Sequence, residues 1–169
     1  MKHLFISIAL ATLFAACAPE DTTIEGLETF TVTQGHKEGR LSYPTNPPAG
    51  GEHNSAWQNC GVYDTQIAKE NAVHSLEHGA VWITYDPNLA ADQVQKLRDL
   101  VKGRTYTLLS PYVFGALDKP IYAVAWGVRV GVDTADDKRL DKFIRAYMQG
   151  KQTPEPGASC SGAIGNPIQ

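Results

Sequence analysis

The chain is poor in soft metal ligands and in surplus positive charge. Three cysteines and two methionines stand among 169 residues, and no two cysteines form the close CxxC pair of a zinc–thiolate site. Fifteen Lys and Arg face eighteen Asp and Glu, a net charge of -3 with a pI near 5.9. That balance argues against nucleic acid as the main partner, because phosphates would go unneutralised. No apolar run is long enough to span a bilayer as a mature helix, and no internal repeat is present. What remains, 43% hydrophobic and 20% charged, is the mix of one ordinary globular domain.

The one long apolar stretch lies at the N-terminus. Lys2 and His3 precede an apolar run from Leu4 to Phe14, which ends in Ala15-Ala16-Cys17. This order predicts a signal peptide over residues 1–16. A cysteine directly after the small residues reads as a lipobox, so Cys17 is the expected lipidation site and the membrane the expected partner. Phe14 stands where Leu is commoner. Ala18 leaves the outer membrane, facing the periplasm, as the destination if the cell is Gram-negative. Residues 17–29 then form a tether. Cys60 and Cys160 remain, and export of an even pair predicts a disulfide that pins the C-terminal tail to the domain. The alternative use of the two thiols is as metal ligands.

The periodicities predict a single α+β domain over residues 30–155. Its sheet is mostly antiparallel, with two or three packed helices and a long Pro/Gly-rich N-terminal loop region. Residues 42–55, SYPTNPPAGGEHNS, must be loop. Helices are expected over 66–78, from Asn88 to Gly103, and from Asp133 or Thr134 to Gly150. Strands are expected at 30–33, 80–85, 105–109 and 121–130. Residues 156–169 read as an extended tail.

The chemistry concentrates in the histidines. His36, His53, His74 and His78 are the only ones beyond the signal segment, and none follows His78. His74 and His78 stand four apart on an expected helix, so they share one face. Imidazole suits copper and zinc, not oxygen-seeking ions such as Ca²⁺. All four are candidate metal ligands, with copper favoured over zinc. Glu77 is a candidate carboxylate that orients or supplements them. Tyr43 and Tyr63 are candidate hydrogen-bond donors to the site, or packing residues.

His74-x-x-Glu77-His78 also matches the H-x-x-E-H pattern of inverted zinc peptidases, in which the glutamate is a general base. Those enzymes need a further carboxylate ligand on a later helix and a much larger chain. Here the only later glutamate is Glu155, in a Pro-rich stretch. Trp57, Trp82 and Trp126 read as core aromatics, and Met148 as a packing residue or a soft axial ligand.

Taken together, several segments resemble one bacterial family, catalogued as domain of unknown function 3105. They are Tyr43, then Asn46-Pro47-Pro48-Ala49-Gly50-Gly51-Glu52-His53, Trp57 and Gly61-Val62-Tyr63, followed by Val73-His74-Ser75-Leu76-Glu77-His78-Gly79 and Ala125-Trp126-Gly127. Gly51 stands where members often carry Ser. The resemblance spans about residues 30–155 and implies an exported or membrane-anchored protein, with no established reaction. The residues and the resemblance together lead to an anchored extracytoplasmic protein with a histidine metal site. A small metalloenzyme for hydrolysis or O₂ chemistry, or a metal-free scaffold, are the alternatives.

Overall fold

The computed structural model describes residues 23–169. The expected signal segment and Cys17 lie outside the described residues. The elements are β1 (Glu28–Thr29), β2 (Gly61–Val62), α1 (Lys69–Glu77), β3 (Val81–Tyr85), α2 (Ala91–Val101), β4 (Thr107–Pro111), β5 (Ile121–Ala125), β6 (Val128–Val132) and α3 (Lys138–Tyr147). The strands form one sheet in the order β1-β6-β5-β3-β4-β2. The pairings β1/β6, β6/β5 and β5/β3 are antiparallel; β3/β4 and β4/β2 are parallel. The fold is therefore α+β with a mostly antiparallel sheet. Helix α2 makes the crossover between the parallel neighbours β3 and β4, as a parallel pair requires.

Strand alternation divides the core between two faces. Val81, Ile83 and Tyr85 pack with Leu97 and Val101 of α2 and with Leu140, Phe143 and Ile144 of α3. Trp82, Leu108, Tyr122 and Val124 pack on the other face with Ala72, Val73 and Leu76 of α1. Met148 packs against the first of these clusters. Both faces are covered, so the central strands read as almost unbroken apolar runs.

Several expected bounds shift for identifiable reasons. The strand expected over 121–130 is a hairpin, β5 and β6, turning at Trp126-Gly127, where Gly127 takes φ +73°. Across the two-residue turn the face packed on α2 and α3 passes from odd positions (Ile121, Ala123, Ala125) to even ones (Val128, Val130, Val132), but Val124, Val128, Val130 and Val132 keep one parity in sequence and mask the break. The first strand falls at Glu28–Thr29, ahead of the expected 30–33. The last helix is capped by Asp137, whose side chain accepts from the Arg139 N–H, and not by Asp133 or Thr134. Helix α1 starts at Lys69 and is closed by Gly79 at φ +96°.

The C-terminal tail lies against the segment that leads into β2. Cys60 and Cys160 form a disulfide with Cα atoms 5.3 Å apart. The Cys60 N–H donates to the Cys160 carbonyl, the Asn59 N–H to Ile164, and the Val62 N–H to Gln169. Such a bond fits an oxidising, extracytoplasmic environment. Among the described residues, no helix is long and apolar enough to cross a membrane.

Candidate metal centre

Helix α1 is buried almost all round, from Glu70 to Glu77, although five of those eight residues are polar. Buried polar groups need partners, and most find them in the backbone of the covering loop. Glu70 accepts from the Leu41 N–H at 3.0 Å. Asn71 Nδ2 donates to the Ala56 carbonyl at 2.6 Å, and Ser75 Oγ to the Gln58 carbonyl at 2.7 Å. His74 Nδ1 donates to the Asn54 carbonyl at 2.8 Å. The Pro/Gly-rich loop is thus stitched to the helix, and the same stitches bring His53 over His74.

Among the described residues four buried side-chain atoms lack a hydrogen-bond partner: Asn54 Oδ1, Trp57 Nε1, Thr84 Oγ1 and, facing α1, His53 Nε2. His53, fully buried, lies with Nε2 only 2.9 Å from Glu77 Oε2, itself buried on α1. Yet His53 Nε2 makes no hydrogen bond. The reason lies at the other ring nitrogen: Nδ1 is 2.8 Å from the Gly51 carbonyl. A carbonyl only accepts, so Nδ1 carries the proton, and in the neutral ring the lone pair sits on Nε2. His74 is fixed in the same tautomer by Asn54. Each of the two imidazoles thus has Nδ1 held by a backbone carbonyl, which leaves Nε2 as the nitrogen with a lone pair. Metal-binding histidines are commonly oriented in this manner.

Around this pair the rings close into a triangle. Centroids lie 5.0 Å apart for His36–His53, 4.9 Å for His36–His74 and 4.7 Å for His53–His74. One donor atom from each of His36, His53, His74 and Glu77 falls within 4.8 Å of all the others. Four ligands at bonds of about 2.0–2.1 Å in tetrahedral geometry stand about 3.3 Å apart, so an ion would draw the donors together by roughly an ångström. His36 reaches the group from a loop paired with His53: the Lys37 N–H donates to the His53 carbonyl, and the His53 N–H to Gly35.

The remaining candidates take other places. His78 stands outside the four-donor group, although its ring is 4.5 Å from that of His74. It caps the C-terminus of α1, where its Nδ1 donates to the Ser159 carbonyl and its Nε2 lies 3.6 Å from Glu155 Oε2. Tyr43 donates to the Glu52 carbonyl at 2.8 Å and so braces the loop one residue before His53, without touching a histidine ring. Tyr63 donates to the Asn59 carbonyl, under the tail. Trp82 and Trp126 are core aromatics, and Trp126 also meets the His53 ring edge-on at 5.9 Å; Trp57 is only half-buried and lies 5.0 Å from His78. Gln34, which no sequence pattern marked, donates to Glu77 Oε1 at 3.1 Å.

Burial, above all, and the charges that His78, His53 and His36 would carry push the His74 pKa down to about 4, against the pull of the Asn54 carbonyl. An unfolded histidine takes up a proton near pH ~6.5. Between those values the unfolded chain binds a proton that the native site refuses. This contribution to stability is therefore intact above about pH 6.5 and is lost as the pH falls toward about 4. Urea midpoints of the metal-free protein are expected to drop across that window. The drop should shrink in His74→Asn, and an unchanged profile in that variant would refute the assignment.

A family model matches residues 36–162, three quarters of the chain. The chain belongs to the protein family of unknown function DUF3105. The matched span begins at His36 and takes in His53, His74, Glu77, His78 and both disulfide cysteines. No curated protein and no solved structure matches the chain.

Proposed function

We propose that this family member is an anchored extracytoplasmic protein that binds one transition-metal ion through His36, His53, His74 and Glu77. The observation that carries the reading is the buried His53–Glu77 contact. The two buried polar atoms, His53 Nε2 and Glu77 Oε2, lie 2.9 Å apart without a hydrogen bond between them, and a cation bound by both would satisfy them. Copper is favoured over zinc because a nitrogen-rich site binds Cu²⁺ more tightly by the Irving–Williams order.

The test is metal analysis of protein purified without a polyhistidine tag, followed by competitive titration with Cu²⁺ and Zn²⁺. One ion per chain is expected, with copper displacing zinc. A protein that takes up neither would leave the scaffold reading in its place. The anchor is part of the proposal: Cys17, following Ala15-Ala16, would carry the lipid and hold the domain at the membrane. Mass spectrometry of membrane-extracted protein should find a diacylated or triacylated N-terminal Cys17. An unmodified N-terminus at another residue would remove the anchor from the reading.

A further inference from the structure

The four donors are not held alike. His53 is fixed by the Gly51 carbonyl, His74 by the Asn54 carbonyl and Glu77 by the Gln34 amide. These three are buried, at 0%, 4% and 3% relative exposure. His36 is exposed, and its ring makes no hydrogen bond with any described residue. Its loop is flanked by Gly35 at φ +149° and Gly39 at φ +99°, and a Cβ built at either would meet no atom within 4 Å. The first three donors therefore sit in packed protein, whereas the fourth is exposed: its backbone is paired with His53, but its ring is held by no hydrogen bond with a described residue and the flanking glycines have open space beside them.

We propose that His36 is the exchangeable ligand of the centre. His53, His74 and Glu77 form a fixed three-donor face, and the position His36 fills is the one a small exogenous donor can take. The ligand class is monodentate and nitrogen- or oxygen-based: a neutral heterocycle such as imidazole, or a small anion such as azide. This inference rests on the metal-centre reading above. It adds to that reading an asymmetry: an ion enters and leaves past His36, and any external molecule that touches the metal does so there. A ligand with no group fixing it from behind keeps its rotamer freedom until it binds the metal, so its bond is the cheapest of the four to break.

The experiment compares Cu²⁺-loaded wild type with His36→Gly and His36→Ala by electron paramagnetic resonance, visible absorption and release to a chelator. Both variants are expected to keep one copper per chain. Their copper spectra should shift, and release should quicken by at least about 10-fold, since loss of a mere hydrogen-bond partner of a ligand already costs about 10–100-fold in affinity. Added imidazole should return the spectrum and the release rate of His36→Gly toward wild type. Azide should bind the variant copper more tightly than the wild-type copper. Unchanged unfolding midpoints of the metal-free variants would show that the fold is intact.

The proposal is overturned if either variant loses stoichiometric copper, since His36 would then be as indispensable as the buried donors. It is equally overturned if the variant spectra match wild type and imidazole leaves them unmoved, since His36 would then be no ligand. Failure of the wild type itself to bind copper is a separate outcome, which removes the metal-centre reading and this inference with it.

Discussion

Metal titrated into His74→Ala protein is expected to find no stoichiometric site, while the same protein keeps its helices and sheet. His74 is the hub of the centre. Its ring lies 4.9 Å from His36 and 4.7 Å from His53, and Glu77 follows it by three residues on α1. A helix presents positions three apart as neighbours, so losing His74 removes the donor that ties the loop histidines to the carboxylate. The cost to the fold is local. The Asn54 carbonyl loses its partner and a small cavity opens, together about 1–3 kcal/mol. The two core clusters contain neither group. His78→Ala is the informative comparison. Because His78 is turned to Ser159 and Glu155, that variant should still take up one ion per chain, as measured by elemental analysis. Loss of uptake in His78→Ala together with retention in His74→Ala would invert the arrangement.

The crowding of histidine between residues 36 and 78 is enough to mark the cluster of His36, His53 and His74 in the sequence, and the i,i+4 pair puts α1 beneath it. What the spacing leaves open is which of the residues after His74 joins in. Positions 77 and 78 are both one turn away, and local periodicity does not separate them. The choice is made by contacts remote in sequence. Ser159 and Glu155 engage the His78 ring, and Gln34 holds the Glu77 carboxylate toward His53. The same division holds for the fold. Val81, Ile83 and Tyr85 alternate, and Leu140, Phe143 and Ile144 follow helical spacing, so these elements declare themselves. Strands β1 and β2, at two residues each, are too short to carry a period. The β5–β6 turn hides within a continuous valine pattern, and Gly127 was its only local sign.

Replacing both Cys60 and Cys160 with serine is expected to lower stability by about 3–5 kcal/mol, the chain-entropy cost of opening so long a loop. The two residues are 100 apart in sequence, so the crosslink restrains most of the domain in the unfolded chain. For a domain near this size, the loss corresponds to a fall of roughly 10–20 °C in Tm. Hydrogen bonds alone would then hold the tail: backbone pairs such as Cys60 to Cys160 at 2.7 Å and Asn59 to Ile164 at 2.8 Å, and the side chains of Asn59, His78 and Tyr106 on tail carbonyls. Each contributes about 1 kcal/mol, set against the entropy of ordering a tail rich in Pro and Gly. The effect should reach His78, because Ser159 and Glu155 belong to the released segment. It should stop short of the metal donors, since Gly51, Asn54 and Gln34 hold His53, His74 and Glu77 from outside the tail. The double variant is therefore expected to show a lowered urea midpoint and, well below its Tm, an undiminished one-to-one metal stoichiometry. A midpoint within about 1 kcal/mol of wild type would mean that the tail contacts suffice without the bond. Lost stoichiometry at full helix content would mean that the tail, through His78, is part of the centre after all.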